Sequence, residues 1–134
     1  MDIKSSSLLL DSDVIIDLLR GDPFITDFII KIKEKSNLLY YSPLSKTEVY
    51  AGAFENEYEK IGLLFSQLKP IDITDPIGEK AGMLLNKYRK THNIGIVDSL
   101  IAATAIYYDL KLITRNVKHY PMPEVSIINP NFHS

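Results

Sequence analysis

Cysteine is absent from this 134-residue chain, which removes disulfide scaffolds, thiolate zinc sites and a cysteine nucleophile from consideration. No apolar run approaches the roughly 20 residues of a membrane helix. The opening stretch MDIKSSSLLLDSDV is apolar only briefly and is broken by Asp, so the expectation is a cytoplasmic protein with no membrane partner. Low-complexity sequence is also missing, and 46% hydrophobic with 24% charged residues describes a chain that folds. Nor is there an excess of positive charge. A net charge of −2 and a pI near 5.9 argue against a general nucleic-acid-coating protein, because such binding is driven by phosphate neutralisation. A local basic patch remains open. The length fits one domain over 1–134, large enough to bury roughly two thirds of its unfolded surface.

What is present alternates. Residues 8–11 form an apolar strand, and a short helix from Ser12 to about Arg20 ends at Gly21, Asp22 and Pro23. Residues 24–35 carry a helical stripe of Phe24, Phe28, Ile29 and Ile32. Leu38 to Ser42 is a second strand, about 45–68 is helical, and Pro70 to Ile73 is a poorer edge strand. Helices over 75–91 and 97–109 follow, with Pro76 in the first turn of the former. The small AATA segment of the latter suits close packing on a sheet. Strands at 110–114 and 125–128 complete the chain. Strands alternating with helices predict an α/β fold with a mainly parallel central sheet of about five strands flanked by helices.

In such a sheet every strand's C-terminal end faces one side, so residues just after strands converge. Asp11, Glu48, Asp98 and Asn116 all stand at or near element junctions. Three carboxylates at close range repel unless a cation sits among them, and Mg²⁺ or Mn²⁺ prefers such oxygen ligands. Each residue alone has a plainer use. Asp11 or Ser12 could cap a helix, Ser45-Lys46-Thr47-Glu48 matches a capping box, Asp98 could charge a helix start, and Asn116 is an ordinary turn residue. Asp17, Asp72, Asp75 and Asp109 read as solvated charges, with Asp13 held back from that group.

Four segments, LLLDSDVIIDLL, LSKTEVYAG, GIVDSLIAATA and LITRNVKHYP, occur in the order seen in PIN-domain ribonucleases of the VapC toxin type, which the chain resembles over nearly its whole length. The resemblance implies a single PIN domain, an RNase H-like three-layer α/β/α sandwich. It implies a metal-dependent endoribonuclease with Asp11, Glu48, Asp98 and Asn116 as catalytic positions. Asp11 and Asp98 would ligate Mg²⁺ or Mn²⁺, Glu48 would orient water, and Asp13 and Thr114 would support. Cleavage by metal-activated water would leave a 5′-phosphate and a 3′-hydroxyl. The fourth position, often Asp, is Asn116, and a further acidic position is His119, both of which thin the negative charge. Arg20, Lys46, Arg115, Lys118 and His119 are candidate contacts for RNA phosphates.

The same resemblance implies a homodimer, a cognate antitoxin protein, and structured RNA of the tRNA or rRNA class as substrate. The face of the 24–35 helix, with Tyr50, Phe54 and Tyr58 at helical spacing, is the expected antitoxin groove. Two other readings stand beside it: a PIN-fold binding module with a degraded site, and a haloacid-dehalogenase-type phosphatase. In the latter, the DSDV of this chain would supply Asp11 as nucleophile and Asp13 as acid/base.

Overall fold

The computed structural model describes residues 7–35 and 37–132. Five strands, β1 (Ser7–Leu10), β2 (Leu38–Tyr41), β3 (Lys69–Pro70), β4 (Lys111–Ile113) and β5 (Ile127–Ile128), form one sheet in the order β3-β2-β1-β4-β5. Every pairing is parallel. Six helices connect them: α1 (Ser12–Leu19), α2 (Pro23–Glu34), α3 (Pro43–Ala51), α4 (Tyr58–Ser66), α5 (Asp75–Tyr88) and α6 (Ile96–Tyr107).

The three-layer arrangement follows from the period-two alternation of side chains along a strand. Leu8 and Leu10 of β1, Leu39 and Tyr41 of β2 and Ile113 of β4 face one side, where they pack with Val14, Ile25, Phe28, Ile32, Val49, Ile61 and Phe65 from α1 to α4. Leu9 and Leu112 face the other, against Ile77, Ala81 and Leu84 of α5 and Ile101, Ala102 and Ala105 of α6. Both faces of the central strands are dry, which explains why LLL reads as continuous apolar sequence rather than alternation. The AATA segment lies against the sheet as its small side chains predict, with Ala102, Ala103 and Thr104 fully buried. Gly21 ends α1 at φ +74°, a left-handed position that suits glycine.

Four local expectations change. The predicted helix over 45–68 is two helices: α3 stops at Ala51, Gly52 caps it, and the 3-10 turn Glu55–Glu57 precedes α4. Tyr50, Phe54 and Tyr58 therefore do not lie on one helix face. The Tyr50 and Tyr58 rings instead meet edge to face at 5.4 Å across the break, and Phe54 is 77% exposed. Ile25, not Phe24, completes the buried stripe of α2, while Phe24 lies outside under the Arg115 guanidinium, 5.7 Å from its ring centroid. The helix predicted over 75–91 ends at Tyr88, and the edge strand predicted at Pro70 to Ile73 is Lys69–Pro70. No described helix is long and apolar enough to cross a membrane.

Candidate active site

β1 and β4 are neighbours, and their register carries Asp11 and Thr114 side by side past the strand ends. The Asp11 N–H donates to Ile113 O at 3.0 Å and the Thr114 N–H to Ile128 O at 3.2 Å. The backbone of Asp11 thus extends the sheet by one residue, and its side chain begins α1. One carboxylate oxygen, Oδ1, accepts the Ser12 N–H at 2.8 Å. The other, Oδ2, accepts two hydroxyls, from Thr114 at 2.9 Å and Tyr120 at 2.8 Å. All three side chains are buried, at 5%, 0% and 3% exposure for Asp11, Thr114 and Tyr120. Helix capping accounts for one oxygen of Asp11; the other is held by groups more than a hundred residues away.

Glu48 does not close a capping box. The N-cap of α3 is Ser42, whose Oγ accepts the Leu44 N–H at 3.1 Å, and Ser45 sits inside the helix with its buried hydroxyl unpartnered. Glu48, a turn and a half into α3, has no structural task of that kind and lies near the start of α1, where the Ser12 side chain opposes the rise of its pKa. Lost hydration on that side pushes its pKa up although much of the side chain stays in water, and the charges of Asp11 and Asp98 push it further. Asp98 lies in the first turn of α6, whose N-cap is Gly95. Burial raises its pKa, the His119 imidazole opposes the rise, Asp11 adds to it, and the nearby Tyr120 hydroxyl opposes it. His119 Nδ1 is 3.4 Å from Asp98 Oδ2. Among the described residues no Lys or Arg forms an ion pair with Asp11, Glu48 or Asp98.

Asp13 has a different job. Its Oδ1 accepts the Val14 N–H at 2.9 Å and its Oδ2 the Arg115 N–H at 2.8 Å, bracing α1 against the loop after β4. Burial and the neighbouring Asp11 raise its pKa. Both oxygens of Asp13 are thus engaged in holding α1 to that loop. Arg115 donates through Nη1 to Asp17 at 2.7 Å and to Asp22 at 3.1 Å, and through Nε to Asn131 at 2.9 Å, so much of its donor capacity is engaged. Lys46 lies over the rings of Tyr41 and Phe65 at 5.5 and 5.3 Å. Arg20 and Lys118 are exposed. Asn116 is exposed too; its backbone N–H donates to Thr114 Oγ1 at 3.0 Å, and its amide has no partner among the described residues.

The donor set fits a hard divalent cation. Mutual repulsion links Asp11 with Glu48 and with Asp98, desolvation raises the pKa of Glu48 and Asp98, and a cation relieves both effects at once. Among the described residues no three acidic or imidazole groups form a ready-made cage. Mg²⁺ does not need one, since it is commonly held by one or two carboxylates with waters completing the shell.

Sequence reasoning missed Tyr120 and the Asp17–Arg115 pair. The signal for Tyr120 was present in LITRNVKHYP, because a tyrosine in a segment that must fold back on the core needs an acceptor for its hydroxyl.

The PIN domain family model matches residues 8–124. Ribonuclease VapC10 of Mycobacterium tuberculosis is 38% identical over 118 residues, 87% of this chain and 88% of its own. Ribonuclease VapC19 of the same species is 36% identical over 115 residues, 85% of this chain and 92% of its own. Among solved structures, VapBC2 from Rickettsia felis bound to a promoter DNA fragment is similar at a TM-score of 0.81 and 23% identity, covering 92% of this chain and 98% of that one. A toxin–antitoxin complex from Klebsiella pneumoniae is similar at a TM-score of 0.74 and 26% identity, covering 92% and 97%.

Proposed function

This chain belongs to the PIN-domain family, and from that premise we propose that it is a divalent-metal-dependent endoribonuclease serving as the toxin of a toxin–antitoxin pair. The observation that carries the proposal is the gathering of Asp11, Glu48 and Asp98, each charge felt by another, with an imidazole as the basic neighbour. Relatives named ribonucleases match most of the chain.

Asp11 and Asp98 are the residues that would hold Mg²⁺ or Mn²⁺. Bound there, the ion supplies charge neutralisation at the scissile phosphate and a more acidic water. Glu48 orients the attacking water and accepts its proton, a role suited to a carboxylate whose pKa is raised. Asn116, exposed beside Thr114, offers its amide to that water or to a phosphate oxygen. Arg20, Lys46, Lys118 and His119 steer the RNA backbone, with Arg115 shared between that task and its carboxylates. Water as nucleophile leaves a 5′-phosphate and a 3′-hydroxyl.

The substrate is structured RNA of the tRNA or rRNA class, met in the cytoplasm, and the active form is a homodimer. An antitoxin covers the site when the toxin is silent. The groove expected on the 24–35 helix is not the one the fold offers: a cavity of about 600 Å³ lies between α1, α3 and α4, bordered by Ile16, Arg20, Val49, Phe54, Lys60 and Ile61, and its apolar floor and charged rim suit an amphipathic antitoxin segment. The test is incubation of the purified chain with tRNA and rRNA. Cleavage to 5′-phosphorylated fragments is expected with Mn²⁺ or Mg²⁺, and none with chelator or in Asp98→Asn. Cleavage that survives either treatment overturns the proposal.

A further inference from the structure

The buried group most tightly engaged with the carboxylates is a phenol. Tyr120 follows the 3-10 turn Val117–His119, and its side chain turns inward so that the hydroxyl donates to Asp11 Oδ2 at 2.8 Å. Its one proton goes to Asp11, and Asp98 lies near enough for its charge to act on the phenol. An ionised carboxylate offers about four acceptor sites, two on each oxygen. Thr114 and Tyr120 fill both sites on Oδ2, and the Ser12 N–H fills one on Oδ1. One lone pair, on Oδ1, is left for a ligand.

We propose that Tyr120 is a positioning residue that presets Asp11 to bind a divalent cation through Oδ1 alone. This rests on the metal-dependent reading above. Without the phenol, one site on Oδ2 opens and the carboxylate plane can pivot. The ordering then has to occur when the cation binds, at the expense of affinity. Groups that orient metal ligands typically contribute 10- to 100-fold in affinity. Because Thr114 and Ser12 still hold Asp11, the expected loss in Tyr120→Phe is about 10-fold, the low end of that range.

The experiment is a Mn²⁺ titration followed by thermal shift, on the full chain as wild type and as Tyr120→Phe, which keeps the ring and its packing. The expected result is a midpoint displaced to about 10-fold higher Mn²⁺ in the variant. A purely structural role would lower the metal-free melting temperature and leave the midpoint alone, and that result overturns the inference while the proposed function stands. A wild type that neither responds to Mn²⁺ nor cleaves RNA with it overturns the metal reading, and the inference with it. Should Tyr120→Phe fail to fold, the Tyr120 Cζ resonance of the wild type is followed by NMR during Mg²⁺ addition. It should move with saturation, and a static resonance overturns the inference.

Discussion

Replacing Asp11 by Asn keeps the side-chain volume and removes one charge, which sets two uses of this carboxylate against each other. As a structural acceptor it takes the Ser12 N–H, the Thr114 hydroxyl and the Tyr120 hydroxyl. Asn can turn its oxygen to the two hydroxyls, but its NH₂ then faces the Ser12 N–H, donor against donor. Losing that cap costs about 1 kcal/mol. Converting two charge-assisted hydrogen bonds to neutral ones costs about 1 kcal/mol each. Against this loss of about 3 kcal/mol stands relief of repulsion with Glu48, Asp98 and Asp13. Glu48 is exposed and its pair is screened, so the relief comes mainly from Asp98 and Asp13, at about 1–2 kcal/mol each for an effective dielectric of 20 or more.

Relief therefore roughly offsets the loss. Metal-free Asp11→Asn should melt no more than about 4 °C below wild type, equivalent to about 1 kcal/mol. In the same preparations Mn²⁺ should raise the melting temperature of wild type and not of the variant. Loss of a ligand should exceed the roughly 100-fold upper range for groups that merely orient ligands, so RNA cleavage falls by more than that. Calorimetry with and without Mn²⁺, alongside a gel assay of RNA fragments, reads all three. Retained cleavage in the variant refutes the catalytic assignment. A metal-free melting point lower by more than about 10 °C, with the Mn²⁺ response intact, would show Asp11 to be chiefly a helix cap.

In the metal-free protein Glu48, Asp98 and Asp13 have raised pKa values, so the folded state binds more protons than the unfolded one between those raised values and the ordinary 3.8 to 4.5. Melting temperature in chelator should accordingly rise as pH falls from 7.5 to about 5, and Mn²⁺ should flatten the profile; the lowered pKa values of Asp22 and Glu124 remove stability only below that window. Thr114→Val removes a fully buried hydroxyl that donates to Asp11 and accepts from Asn116 N–H, and should cost about 1–3 kcal/mol by chemical denaturation. Ala103→Leu should cost about 1–3 kcal/mol as well, because Ala103 is fully buried in α6 and the sheet leaves no room for three more carbons. Arg115→Gln should speed amide exchange and proteolysis near Asn131, since the guanidinium ties that segment to Asp17 and Asp22; unchanged exchange there would show the ties to be passive.

The fold was legible because its signals are local and periodic. A three-residue apolar run in β1 needs cover on both faces, and AATA needs a close neighbour; a parallel sheet with helices on both sides satisfies both. The place of Asp11 beside Thr114 was legible for the same reason, since strand ends converge by topology, whereas Glu48 lies inside α3 and Asp98 in a helix that follows another helix. What escaped is set by side-chain reach across distant sequence. Tyr120 meets Asp11 across 109 residues and Arg115 meets Asp17 across 98, and neither pairing leaves a spacing that a single sequence displays. The break at Gly52 escaped because the apolar pattern on either side continues at helical period, and only the capping geometry interrupts it.

These unread contacts also bear on how many ions the site holds. Asn116 contributes no charge, and the position where another acid could stand is His119, whose imidazole lies against Asp98. Tyr120 and Thr114 occupy one whole oxygen of Asp11. With Asp11 reduced to a single free lone pair and Asp98 facing an imidazole, the proposed site offers an ion the one or two carboxylates by which Mg²⁺ is commonly held. A second ion would find neither the charge nor the open oxygens, so the donor set favours one tightly held ion, and a Mn²⁺ titration should saturate at one equivalent.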